Sequence, residues 1–195
     1  MSTFSRSRPG RVARPILYGL IAVGLAAAGY YLWNGPPYPE ADPDAVAVRL
    51  KAQAQRVYDE AALPGAPGVR SRVETGTCSY RGLRSVAHID RGRLDVRSFG
   101  LSWQVTDVPE ATARAAQART RLRLERDGWK LVGKDVSDLG FRFEHPGTGD
   151  KVDVDWYEPT GTFALNAYAP CGRLPDGFSE YDWPAAAWAP VVGAR

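Results

Sequence analysis

The apolar positions of this chain fall into one unbroken run, two stripes at helical spacing and a series of short alternating stretches. The unbroken run covers residues 16–33 and carries no charge. An α-helix needs about 17–25 apolar residues to cross a hydrocarbon core of about 30 Å, so the run predicts a transmembrane helix. Arg6, Arg8, Arg11 and Arg14 precede it, whereas Glu40, Asp42 and Asp44 follow it before the next basic residue, Arg49. The excess of arginine before the run places the N-terminus in the cytoplasm and everything after the run outside. Tyr30, Tyr31 and Trp33 suit the outer membrane–water interface. A cleaved signal peptide is the competing expectation, with Ala26-Ala27-Ala28 as its small-residue site. The apolar character continues past Ala28, which favours a retained anchor.

Residues 1–15 are basic and unpatterned, and predict a disordered cytoplasmic tail. Residues 34–41 hold Pro36, Pro37 and Pro39, which cannot continue a helix, and form a stiff spacer. The first helical stripe then begins. Asp42 is the expected N-cap and Pro43 the first helical residue, with Val46, Leu50, Ala54, Val57 and Ala61 on the buried face and Pro64-Gly65 as the stop. The second stripe opens at Asp107-Val108-Pro109-Glu110, a capping-box pattern, and runs to Asp127 with Gly128 beyond the end. Ala111, Ala115, Ala118 and Leu122 make its expected inner face, with Arg114, Arg119, Arg121, Arg123 and Arg126 as a solvated surface.

Alternation predicts strands over residues 69–80 and 94–105, separated by an arginine-rich loop. Four more follow at 129–135, 141–145, 151–157 and 162–168, joined by glycine-containing turns that favour an antiparallel meander. Val152, Val154 and Trp156 face inward, and Asp153, Asp155 and Tyr157 outward. The expected fold is therefore α+β: two helices on an antiparallel sheet of about six strands, behind one N-terminal transmembrane helix. The extracytoplasmic domain spans 42–173. The tail at 174–195 combines three prolines with Phe178, Tyr181, Trp183 and Trp188, and the two tryptophans are candidate contacts for the domain itself, a partner or lipid.

Charge changes the picture only once it is divided. All 22 acidic residues lie beyond position 35 and four of the 25 basic ones before it, so the outer part holds 21 basic residues against 22 acidic. The formal charge of +3 belongs to the tail and offers no footprint for nucleic acid. Within the domain, residues 70–97 carry a balance of +4 and 138–182 one of −6, either a steering field or internal complementarity. Arg81, Arg84, Arg91 and Arg93 form a candidate patch for an anionic wall or lipid component. Cys78 and Cys171, an even pair outside the membrane, predict a disulfide.

No G-x-S-x-G, S-x-x-K or H-E-x-x-H motif is present. His88 and His145 have no second ligand at a recognised spacing, so neither a metal nor another cofactor is expected. Asp153 and Asp155 share a strand face, with Asp150 and Glu158 nearby. They read first as a solvent face and second as paired carboxylates for a cell-envelope hydrolase. The leading expectation is a non-enzymatic domain that binds an envelope protein or an anionic envelope component.

The Arg-rich start, the single apolar helix, Gly-Thr-Cys-Ser-Tyr at 76–80, Asp127-Gly128-Trp129 and Ala169-Pro170-Cys171-Gly172 resemble the uncharacterised membrane-anchored extracytoplasmic proteins of high-GC actinobacteria. That resemblance implies export, a disulfide and a small α+β domain. It carries over no functional residue.

Overall fold

The computed structural model describes residues 13–63, 70–134 and 139–178, with the side chains of 13–17, 70–73 and 134 outside the description. Most of the expected cytoplasmic tail, the Pro64-Gly65 stop, Trp183 and Trp188 lie outside the described residues. The elements are α1 (Ala13–Asn34), α2 (Pro43–Ala61), β1 (Arg70–Ser79), α3 (Arg84–Ala87), β2 (Gly92–Val105), α4 (Glu110–Arg126), β3 (Lys130–Lys134), β4 (Gly140–Glu144), β5 (Lys151–Tyr157), β6 (Thr162–Tyr168) and β7 (Gly172–Arg173). They fall into two compact units: Met1–Pro37 with Ser79–Gly92, and Tyr38–Cys78 with Arg93–Arg195.

In the first unit, α1 is the helix expected over the apolar run, 22 residues long. Among the described residues, however, no helix is long and apolar enough to cross a membrane. The expected apolar run is thus a helix, but its expected role as a membrane span is not met among the described residues. Its C-terminal carbonyls are taken up locally. Gly35 N–H donates to Tyr31 at 2.7 Å and Leu83 N–H to Leu32 at 3.0 Å. Gly82 makes the second contact possible: at φ +60°, an added Cβ would lie 2.6 Å from the Leu32 carbonyl oxygen. The arginine-rich loop therefore belongs with α1, and it contains a four-residue helix that alternation did not predict.

The second unit is α+β. Its seven-stranded antiparallel sheet runs β1-β2-β6-β5-β4-β3, with β7 on β2 beyond the end of β6. The meander β3 to β6 pairs antiparallel, Val154 opposite Leu165 and Phe143 opposite Val152, with a register shift between Leu131 and Gly133 of β3. Seven strands replace the expected six because Gly172 and Arg173 add a short rung against Arg97 and Val96. The chain breaks between β6 and β7 at Ala169–Cys171, where Cys171 bonds to Cys78 of β1 with Cα atoms 6.1 Å apart. The bridge joins neither the two sheet edges nor two paired strands. It ties together segments that flank β2.

One face of the sheet carries the core. Phe99, Leu101 and Trp103 of β2, Val152, Val154 and Trp156 of β5, and Phe163 and Leu165 of β6 are all buried there. Against them α2 lays Val46, Leu50, Ala54, Val57 and Ala61, the stripe its periodicity predicts. Asp42 caps α2, its Oδ1 accepting from Ala45 N–H at 3.1 Å. Trp103 sits at the centre, edge-on to Tyr58 at 5.3 Å and stacked on Phe163 at 5.9 Å.

The second packed helix, α4, differs from expectation in two respects. Its N-cap is Pro109, with no side-chain bond, and Asp107 instead adopts φ 59°. Its inner face is Ala113, Ala116, Gln117, Thr120 and Leu124, whereas Leu122 is 61% exposed. Both stripes have helical spacing, and alanine at 111, 113, 115, 116 and 118 fits either. Burial of Gln117 decides between them, since its Nε2 donates to the Leu139 carbonyl at 2.7 Å. The C-terminal end is as expected, with Gly128 in the left-handed region at φ +82°.

Candidate functional site

The arginines of the expected anionic-partner patch are held by different groups. Arg81 donates to the Pro36 and Pro37 carbonyls at 3.1 Å each. Arg84 lies 4.8 Å above the Tyr80 ring, which also packs against His88 at 4.4 Å. Arg93 belongs to the second unit, where it pairs with Asp95 and lies 5.7 Å over the Tyr38 ring. The guanidinium of Arg93 holds the Asp95 carboxyl below its ordinary value. Arg91 is exposed and has no side-chain partner among the described residues. Around them Leu83, Val86 and Ile89 expose 58%, 75% and 82% of their surface, so this loop presents aliphatic side chains as well as charge.

The solvent face of the sheet holds Asp153 and Asp155. Register places Arg142, Asp153, Asn166 and Ser102 in one row across β4, β5, β6 and β2. Arg142 grips Asp153 with both arms of its fork, Nε to Oδ1 at 2.6 Å and Nη2 to Oδ2 at 2.7 Å. The Tyr168 hydroxyl lies 3.4 Å from the same carboxylate, and Arg142 lies 5.7 Å over the Tyr168 ring. Burial, then the Asp153 charge, pushes the Tyr168 hydroxyl up to about 12. Asp153 raises the Arg142 guanidinium in turn. The row borders a shallow depression of about 320 Å³ that Glu74, Ser98 and Gly100 help to line.

A third site was not visible as a motif. Asp150 is fully buried in the turn between β4 and β5. Arg49 reaches it from α2 with Nε at 2.7 Å and Nη2 at 3.1 Å, and Gln53 donates Nε2 at 2.8 Å. A buried carboxylate needs such partners, because desolvation otherwise costs several kcal/mol. Arg49 and Gln53 of this cluster line an open cavity of about 430 Å³ together with Arg56, Arg123, Asp127, Trp129, His145 and Thr148. His145 Nδ1 accepts from the amides of Gly147 and Thr148 at 3.2 Å each, which assigns its proton to Nε2. The ring stands edge-on to Trp129 at 5.1 Å. Arg123 is paired with Asp127 at 3.0 Å, whereas Arg56 has no partner among the described residues. The Oε1 atom of Gln53 is buried and accepts no hydrogen bond.

The sequence did hold a signal for this cluster. Arg49, Gln53 and Arg56 follow i, i+4, i+7 spacing, so they share one helical face beside the apolar stripe. Asp150 was legible only as one acid among several near Asp153. Among the described residues, no three His, Cys, Asp or Glu side chains group as metal ligands.

No family model matches this chain, and no characterised protein and no solved structure matches it.

Proposed function

We propose that the chain is a membrane-anchored domain that sits outside the cell membrane and binds an envelope component without turning it over. The observation that carries this reading is the surface of α1. From Tyr18 to Leu32 its side chains are exposed on every side, and most are apolar, including Leu20, Ile21, Val23, Leu25 and Leu32. A helix that is apolar all round belongs in a large core or in lipid. The apolar run over residues 16–33 within α1 extends about 27 Å at 1.5 Å per residue, close to the thickness of a hydrocarbon core of about 30 Å.

The loop of the same unit supports the interfacial end of that anchor. Exposed Leu83, Val86 and Ile89 sit on a segment bonded to the C-terminal turn of α1, with Trp33 and Tyr31 exposed beside it. Aliphatic tips, aromatic rings and arginines suit the headgroup region. The Cys78–Cys171 bridge agrees with an oxidising compartment, as does the resemblance to actinobacterial extracytoplasmic proteins. A hydrolase centred on Asp153 and Asp155 has weaker support. Asp153 commits both oxygens to Arg142 on an open sheet face, whereas a general acid or base needs a carboxyl oxygen free to give up or take up a proton.

Alkaline carbonate extraction tests the anchor. The full chain is expected to remain in the membrane pellet, and a chain lacking residues 1–33 to wash free. Release of the full chain would overturn the reading.

A further inference from the structure

We infer that residues 79–92 form a second membrane contact in addition to α1. The row Leu83, Val86 and Ile89 enters the outer leaflet of a phospholipid bilayer, and Arg91 meets the headgroup phosphates at its rim. The inference deepens the reading of an anchored domain and rests on it.

The observation that carries it is that this loop is turned inside out. Its backbone winds through bonds to the third residue back: Ser85 N–H to Gly82 at 3.1 Å, Val86 to Leu83 at 3.1 Å, His88 to Ser85 at 3.3 Å and Arg91 to His88 at 3.1 Å. Residues three apart share a face in such turns, so Leu83, Val86 and Ile89 make one row. A turn that faces water sends its polar side chains outward. Here the three aliphatic residues are 58%, 75% and 82% exposed, while Arg84, Ser85 and His88 are half-buried. Partners hold those polar side chains inward. Arg84 Nη1 donates to Asn34 Oδ1 at 3.5 Å, and its guanidinium lies 4.8 Å over the Tyr80 ring. The His88 ring packs on the same tyrosine at 4.4 Å, and Ser85 Oγ donates to the Gly82 carbonyl at 2.7 Å. A single exposed aliphatic residue is ordinary, but a row turned outward marks an interaction surface.

Two features select a membrane as the occupant. The first is continuity with α1. Gly35 at φ +67° and Gly82 at φ +60° meet so closely that a Cβ on Gly82 would lie 2.5 Å from Gly35 N and 2.8 Å from the Trp33 carbonyl oxygen. That approach lets Leu83 N–H reach the Leu32 carbonyl, which fixes the loop where the apolar run ends. The row thereby continues the exposed surface of Tyr31, Leu32 and Trp33. The second is charge. The loop holds Arg81, Arg84 and Arg91 against Asp90 alone, which complements lipid phosphates. Arg91 is exposed at the end of the row, with no side-chain partner among the described residues.

The test is fluorescence quenching of the full chain, with its disulfide intact, reconstituted in vesicles of phosphatidylcholine and phosphatidylglycerol. One environment-sensitive dye is attached through Val86→Cys, and in a second sample through Leu25→Cys. The expected result is quenching of the Val86 dye by lipids spin-labelled near the headgroup, with loss of access to aqueous iodide, and quenching of the Leu25 dye by lipids spin-labelled deep in the chains. Ile89→Asp exchanges an exposed side chain, leaves the fold intact, and is expected to abolish lipid quenching of the Val86 dye. A Val86 dye open to iodide and untouched by spin-labelled lipid, beside a lipid-quenched Leu25 dye, would overturn the inference and leave the anchor standing. Unchanged quenching in Ile89→Asp would also overturn it. If lipid quenches neither dye, the anchor itself fails and the inference falls with it.

Discussion

Arg49 and Asp150 lie 101 positions apart and meet in a bidentate pair, with the carboxylate fully buried and the guanidinium about one-third exposed. The pair joins α2 to the turn between β4 and β5 and adds a polar tie to the apolar stripe that docks the helix. Leaving the buried carboxylate without its counter-charge is strongly unfavourable. Arg49→Ala is expected to lower the unfolding free energy by about 3–5 kcal/mol, read from urea denaturation of the full chain in micelles. A loss below about 1 kcal/mol would show that the pair behaves as an exposed one.

Thr120 offers the opposite sign. It is fully buried on α4 and its Oγ1 has no hydrogen-bond partner. Thr120→Val keeps the shape and removes the unsatisfied hydroxyl, so stability is expected to rise by about 1 kcal/mol in the same assay. A fall would show that the hydroxyl is solvated or bonded in solution.

The disulfide is expected to contribute more than either. Cys78 and Cys171 are 93 residues apart. In the chain-entropy model, a loop of that size makes the bridge worth about 4–5 kcal/mol. The double substitution Cys78→Ala, Cys171→Ala is therefore expected to lower the melting temperature strongly. An unchanged melt would mean that the bridge does not form in the folded protein.

Tyr168 gives a pH signature. Its folded value of about 12 lies above the ordinary tyrosine value, so the folded state holds the proton more tightly than the unfolded chain. Its contribution to stability is complete below the unfolded value and is lost as pH rises toward the folded one. Absorbance at 295 nm is expected to show a late step near pH 12 that Tyr168→Phe removes. Titration of every tyrosine together would contradict the packing against Asp153.

The strands and α2 were legible because their patterns admit one reading. Val152, Val154 and Trp156 alternate strictly with polar residues, and Asp42-Pro43 marks a helix start by two independent signals. The inner face of α4 was not legible, because methyl groups lie all round the helix and polar Gln117 and Thr120 occupy the buried stripe. Its arginines were legible as charge but not as structure. Arg119 turned out to donate to the Ala61 carbonyl at 2.6 Å, closing the end of α2. The cavity was least legible of all. Its parts come from α2, α4 and the turn after β4, and no local spacing reports a meeting across a hundred residues.

The central claim is that α1 holds the α+β domain on the outer side of a membrane. Protease treatment of intact spheroplasts that express the full chain with an N-terminal epitope tag tests it most directly. The account predicts digestion of the domain, with the tag surviving on a membrane-embedded fragment that contains residues 1–33. A domain protected until the membrane is dissolved, or a tag recovered in the soluble fraction, would contradict it.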